Sequence, residues 1–200
     1  MIVFYGAPMS SAARTHWMLE EVGVPYEYKR LSIRDGDTKK PEFLKVNPAG
    51  KIPVIQDGAL TLTESVAINF YLAEKYGKGL MPGDVSERAH VYEWSFWAVS
   101  NVQPLLLDIL LNTMIRPEPE RDLKAVDNAR TLLPPYMDFL NRSLHGKEYL
   151  VGNRFTVADL NAASVIGLSA FVGVDLAAYP ETQAWLSRLQ ARPSFAKSLD

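Results

Sequence analysis

Apolar and polar positions change period several times in the first eighty residues, and each change marks an element. Ile2 to Tyr5 is a short β-rich run, after which Gly6-Ala7-Pro8 turns the chain into helical spacing from about Ser11 to Val22. Gly23 closes that helix, with Pro25 just beyond. Tyr26 to Leu31 returns to strand character, Ser32 to Lys40 is a polar loop, and Pro41 is placed as the first residue of a short helix through Val46. Two apolar runs, Ile52 to Gln56 and Ala59 to Thr63, then flank Asp57-Gly58, the residue pair of a tight hairpin turn. From Glu64-Ser65 the period is helical again through Val66, Ile68, Phe70, Tyr71 and Leu72, ending at Gly77. The order β-α-β-α-β-β-α predicts a mixed sheet covered by helices on both faces.

Lys78 to Ser86 holds two glycines and a proline, the composition of a linker. The expected division is therefore residues 1–78, a linker over 79–86, and a second domain over 87–200 that is helical almost throughout. Asp84 or Ser86 is the candidate cap of a helix reaching about Thr113, which Pro104 is expected to bend. Arg116 to Arg121 breaks the pattern, and the adjacent Pro134 and Pro135 predict a kink or restart in the helix that follows, because neither can donate a backbone hydrogen bond. Thr156 with Asp159 three residues on reads as a capping box, which assigns Asp159 a structural role.

Composition narrows the chemistry. The chain of 200 residues has a formal net charge of -2, so no basic field exists for nucleic acid, and Lys39-Lys40 is the largest positive cluster. The longest apolar run, Leu105 to Leu111, is broken by Asp108 and is far shorter than a membrane span. Met1 to Tyr5 lacks a basic, leader-like start, and a cytoplasmic location is the expectation. Cysteine is absent, which removes disulfides, thiolate metal sites and a protein thiol nucleophile together. His16, His90 and His145 are far apart in the chain, so no metal site is expected.

Pro48 to Ser65 carries the strongest functional signal. A serine and a carboxylate stand at a helix N-terminus, where backbone amides lack intrahelical acceptors, and a proline stands at the mouth of the preceding strand. Such a cradle fits a short peptide with an α-amino acid head group.

These residues resemble the cytosolic glutathione transferase family across the whole chain. The likeness rests on Asn47-Pro-Ala-Gly-Lys-Ile-Pro-Val54, on Thr63-Glu-Ser65 and on Phe155-Thr-Val-Ala-Asp-Leu160, in the family's order. Pro8 to Arg14, reading Pro-Met-Ser-Ser-Ala-Ala-Arg, looks like the serine-type members, phi-like and bacterial. The resemblance implies a thioredoxin-like first domain, an all-α second domain, glutathione as co-substrate, no metal, and a homodimer. It implies that Ser10, four residues before Arg14, donates a hydrogen bond to the glutathione sulfur, with Ser11 as the competitor. Ser65 would hold the γ-glutamyl carboxylate and Glu64 the ammonium. Ile52, preceding an implied cis Pro53, would pair with the cysteinyl backbone, and Lys39 and Lys51 lie where related proteins contact the glycyl carboxylate. Met9, Gln103 and Leu107 are the residues assigned to a hydrophobic electrophile. The activity implied is conjugation to small hydrophobic electrophiles. A glutathione-dependent isomerase, peroxidase or dehalogenase on the same scaffold, or a binding module without turnover, are the alternatives. A thiol-disulfide oxidoreductase using its own cysteines is excluded, since Ala7-Pro8-Met9-Ser10 stands where a Cys-Pro-x-Cys pair is required.

Overall fold

The computed structural model describes residues 1–199, which form two compact units: Met1–Met81 together with the segment beginning at Ala191, and Pro82–Gln190. In the first, β1 (Ile2–Gly6), α1 (Ala12–Val22), β2 (Tyr26–Arg30), α2 (Pro41–Leu44), β3 (Val54–Asp57), β4 (Leu60–Thr63) and α3 (Ser65–Tyr76) follow one another in the expected order. The sheet runs β2-β1-β3-β4, with β1 and β2 parallel and the other two pairs antiparallel. Ile2, Phe4 and Gly6 are buried while Val3 and Tyr5 between them are only half-buried, the period of two expected of a strand with one dry face. Helices α1 and α3 pack together, tied by a bond from Asn69 Nδ2 to the Arg14 carbonyl (3.3 Å). The other side is covered more thinly than the alternation of elements predicts: α2 has four residues, and its Phe43 ring sits 5.8 Å from that of Tyr5.

The hairpin turn is shifted by one residue from the sequence expectation. Asp57 still belongs to β3 and pairs with Leu60, leaving Gly58-Ala59 as the two-residue loop. Gly58 has φ +61° and Ala59 is not among the positive-φ residues, the combination of a turn that needs glycine first. Asp57 is kept in the strand by its side chain, whose Oδ2 accepts from Tyr71 Oη (2.7 Å), Tyr76 Oη (2.6 Å) and Lys75 Nζ (2.7 Å) of α3. Hydrogen bonds from Lys75, Tyr76 and Tyr71 pull its pKa down to about 2. Depressed below the ordinary value of about 3.9, the group contributes stability that is complete above about pH 5 and is lost as pH falls from 4 towards 2. Lys75 is half exposed, so screening reduces the effect to roughly 1 kcal/mol. Urea unfolding of Asp57→Asn should therefore show a deficit of that size at pH 6, shrinking steadily below pH 4. A pH-independent deficit would assign the cost to packing instead.

The segment from Ala191, which the sequence pattern places in the helical domain, packs with the first unit. There Arg192 Nε reaches Glu21 (3.0 Å), and the Ser194 hydroxyl bridges Glu21 and the Trp17 indole. Two arginine–carboxylate bonds and a buried indole donor hold this short helical segment, which lacks the length to be stable alone.

The second unit consists of α4 (Val85–Trp97), α5 (Gln103–Leu110), α6 (Leu123–Ser143), α7 (Val157–Ile166), α8 (Ser169–Val172) and α9 (Pro180–Gln190). Asp84 caps α4 by accepting from the amides of Ser86 and Glu87 (both 2.9 Å). The disturbance expected at Pro104 takes the form of a π-turn over Ala98–Val102, in which the Gln103 amide reaches back to the Ala98 carbonyl. Val85–Ile115 is thus one long helical run, and by length and mean hydropathy (1.3 in its most apolar window) it is sufficient to cross a membrane. That property was hidden from a search for unbroken apolar residues because polar positions are interspersed along it. Within the unit, its Val91, Trp94, Ala98, Leu106 and Ile109 are buried, and it packs on α6 and α7 as a core helix does.

Helix α6 runs through Pro134 and Pro135 without the restart that was one of the two outcomes expected there. Both prolines are exposed, so the carbonyls they leave without partners can be solvated. Val126, Ala129, Leu133, Met137 and Leu140 recur every three or four residues on the buried face. Burying the larger of these at roughly 1.5–3 kcal/mol each offsets an interior proline cost of about 3 kcal/mol.

Helix α7 is apolar nearly all round and buried but for the half-buried Ser164, with its polar positions paired. Asn161 Nδ2 donates to Ser95 Oγ of α4 (3.1 Å). Asp159 accepts four bonds, from the Thr156 amide (2.9 Å) and hydroxyl (3.1 Å), the Leu150 amide (2.9 Å) and the Trp185 indole (3.0 Å).

Candidate functional site

Strand register assembles three distant stretches of sequence at one end of the sheet. Tyr5 of β1 lies opposite Val54 of β3, and Val54 lies opposite Thr63 of β4. The loop leaving β1, the turn entering β3 and the junction from β4 into α3 therefore meet, bringing together residues 7–11, 51–53 and 63–65. A bond from Ser11 Oγ to the Ile52 carbonyl (3.4 Å) crosses between the first two.

The turn into β3 is built by Asn47, a residue the sequence reading passed over as a site element. Its buried side chain accepts from the Ala49 amide (3.1 Å) and donates to the Lys51 carbonyl (2.7 Å), closing an Asx-type turn. An Asn-Pro pair ahead of Ala-Gly is the signal that identifies it. Gly50 completes the turn at φ +60°, and a Cβ there would lie 2.9 Å from both Lys39 Nζ and the Thr38 carbonyl. Only glycine fits, and the same close approach brings Lys39 over the loop that presents Lys51. Both lysines are exposed. The Ile52–Pro53 bond is cis, as the resemblance implied.

At the third segment Glu64 occupies φ +66°, a sparsely populated conformation for a side chain with a Cβ. Its carbonyl accepts the first helical bond, from Ile68 (2.9 Å), which leaves the amides of the first turn of α3 outside the helical ladder. Among the described residues the Glu64 carboxylate has no ion-pair partner and the Ser65 hydroxyl no hydrogen bond. Ser65 is nevertheless buried, at the positive end of a twelve-residue helix. A carboxylate acceptor and an amide-and-hydroxyl donor set side by side are complementary to the two charges of an α-amino acid.

Ser10 and Ser11 precede α1, each half-buried. The Ser10 hydroxyl donates to the Ala7 carbonyl (2.7 Å) and accepts from the Ala12 amide (3.1 Å), whereas Ser11 makes only the long bond to Ile52. Met9 beside them is exposed and held at φ +56°. Arg14, one turn further on, is buried, and loss of hydration lowers its pKa to about 10, which leaves it cationic at neutral pH. Gln103 and Leu107 lie in the second unit, four residues apart on one face of α5 and both half-buried. Among the described residues no group of three histidine, aspartate or glutamate side chains is arranged to hold a metal. Along residues 10–14 the groups on hand are hydroxyls, amides and the Arg14 cation, which stabilise an anion without removing a proton by general base.

Comparison with known proteins agrees with this geometry. Residues 1–74 match the model of the glutathione S-transferase N-terminal domain and residues 102–193 that of the C-terminal domain. Glutathione S-transferase 3 of Zea mays is 33% identical over 206 residues, covering 98% of this chain and 91% of its own. The probable glutathione S-transferase GSTF2 of Oryza sativa subsp. japonica is 36% identical over 201 residues, covering 96% and 93%. Among solved structures, a theta class glutathione S-transferase from Xanthomonas axonopodis pv. citri with glutathione bound superimposes with a TM-score of 0.90 at 32% identity, covering 99% of this chain and 96% of that one. With two family models falling in sequence order and full-length relatives above 30% identity, the chain belongs to the glutathione S-transferase family.

Proposed function

We propose that this protein binds glutathione at the end of the sheet where residues 7–11, 51–53 and 63–65 meet, and transfers its thiolate to a small hydrophobic electrophile. The observation that carries the reading is the Glu64–Ser65 pair at the start of α3, an acceptor and a donor without partners among the described residues and matched to the γ-glutamyl head group. Ile52 would pair with the cysteinyl backbone, and Lys39 and Lys51 would face the glycyl carboxylate. Met9, Gln103 and Leu107 are proposed to contact the electrophile.

The chemical task is acidification of a thiol. With a pKa of about 8.5, glutathione is only about 3% thiolate at pH 7, and lowering that pKa by two units takes about 2.7 kcal/mol. For Ser10 to donate to the sulfur, its proton must leave the Ala7 carbonyl, giving up a neutral bond worth roughly 0.5–1.5 kcal/mol. A bond to the thiolate returns about 1.5–3 kcal/mol, and the start of α1 adds about 0.3–1 kcal/mol. The Ala12 amide, already on the Ser10 oxygen, polarises the hydroxyl as a donor. These terms reach much of the requirement without any base. The thiol proton leaves to solvent, the sulfur lone pair forms the C–S bond, and in a substitution the leaving group departs with its bonding electrons.

The exposed apolar side chains of the helical unit support a homodimer as the working form. Phe96 and Phe139 are each about half exposed, and Phe139 stacks on Trp94 at 5.4 Å. Sedimentation should return twice the chain mass.

Retention on immobilised glutathione, measured together with turnover of a chlorodinitrobenzene acceptor, tests the whole reading. Wild type should be retained and active, Glu64→Gln and Ser65→Ala should elute early, and retention without turnover would leave a binding module in place of an enzyme.

A further inference from the structure

The end of the proposed peptide site that would meet the glycyl residue holds more positive charge than glutathione can use. Gly50 is the point of convergence. It is buried, and a Cβ there would lie 2.9 Å from the Lys39 ammonium, 2.9 Å from the Thr38 carbonyl and 3.3 Å from the Leu44 side chain. Two further lysines adjoin these contacts in the chain, Lys45 directly after Leu44 and Lys51 directly after Gly50. Asn47 fixes the connection between them, because its side chain holds the Lys51 carbonyl (2.7 Å) while its backbone amide donates to the Phe43 carbonyl (2.9 Å). Three cationic positions are thus tied to one buried glycine.

Their charge is not neutralised within the chain. Lys39, Lys45 and Lys51 are exposed, and none of them takes part in an ion pair among the described residues. Of the acids nearby, Asp37 is committed through both oxygens, Oδ1 to Lys40 (2.6 Å) and Oδ2 to the Ser32 amide (2.7 Å). Glu42 of α2, three residues before Lys45, forms no ion pair among the described residues. A glycyl carboxylate would bring one negative charge to three positive ones. A last residue with an acidic side chain would bring a second, on a flexible stem that the exposed surface around Ala49 leaves free to extend.

We infer that the thiol co-substrate this site favours is a γ-glutamylcysteinyl peptide whose last residue carries a second carboxylate, with Lys45 as the residue that reads it beside Lys39 and Lys51. This rests on the glutathione reading for where the peptide lies, and it narrows that reading to a class of thiol.

The test compares glutathione, γ-glutamylcysteinylglutamate and γ-glutamylcysteinylglutamine by calorimetry on the full chain. The last two are nearly equal in size and differ in charge. Exposed cations contribute modestly, so the glutamate peptide should bind about fivefold tighter than the glutamine peptide. That ratio should hold at about 0.01 M salt and approach one at about 1 M, where screening acts over about 3 Å. Because the ratio is taken within each protein, a general weakening of binding cancels. Lys45→Gln should bring it close to one, Lys45→Glu should invert it and Lys45→Arg should keep it. Equal affinities in the wild type, a ratio insensitive to salt, or a preference that survives Lys45→Glu overturns the proposal. With a chlorodinitrobenzene acceptor the same order should appear in kcat/KM for the peptide with kcat little changed, since the added contact is made alike before and during the reaction; its absence there would overturn the assignment to the co-substrate. Equal binding of all three peptides removes this inference and leaves the glutathione reading in place, whereas failure of all three to bind removes both.

Discussion

Replacing Ser10 by alanine is expected to cut turnover of a chlorodinitrobenzene acceptor by about one to two orders of magnitude, at about 1.4 kcal/mol per tenfold, with little change in glutathione affinity. The loss should appear together with a rise in the pKa of bound glutathione, read from thiolate absorbance as a function of pH. Both effects follow from one lost bond, because a donor that meets only the charged form of the sulfur alters acidity and rate without holding the rest of the tripeptide. Ser10→Thr retains the hydroxyl and should recover part of the rate. The neighbouring residue supplies the contrary outcome: Ser11 is tied only by its 3.4 Å bond to Ile52, so its hydroxyl is the freer of the two. If Ser11→Ala abolishes thiolate formation and Ser10→Ala does not, the Ser10 bonds to Ala7 and Ala12 belong to the helix start alone.

The largest stability effect should come from Asp159→Ala. The substitution strips the acceptor from two backbone amides, the Thr156 hydroxyl and the Trp185 indole, all buried. Each orphaned donor costs roughly 1–3 kcal/mol, so the total should exceed about 4 kcal/mol against a folding free energy on the order of 5–15 kcal/mol. Burial pushes the Asp159 pKa up while the four donors oppose that shift, which marks the desolvation these bonds must offset. Asp159→Asn retains one carbonyl oxygen but faces donors with an amide group, and it should fall between wild type and alanine in urea unfolding. A loss below about 1 kcal/mol for the alanine variant would show that water replaces the carboxylate, contrary to the closed environment described above.

The particular mismatches between pattern and structure have physical causes. The hairpin was legible, but its turn moved one residue because Asp57 is drawn into β3 by three donors on α3, a contact with residues 14 to 19 positions away that no local rule contains. Pro134 and Pro135 read correctly as helix breakers in isolation; burial of Leu133, Met137 and Leu140 overrode them. Asn47 stood in the family motif without a role of its own, because its two bonds close a loop whose importance appears only when Gly50, Lys39 and Lys51 are seen in contact with it.

Local rules sufficed where neighbouring residues decide the outcome. The element order, the glycine stop after α1, the serine and carboxylate at the start of α3 and the Thr156–Asp159 cap could each be read from side-chain type and spacing alone, since each is a matter of backbone conformation or bonding within a few positions. The tertiary structure alone decided which pieces share a surface. Register across β1, β3 and β4 brings together loops some forty and fifty residues apart, because hydrogen bonding between strands is set by the packed sheet as a whole and not by any one of its segments.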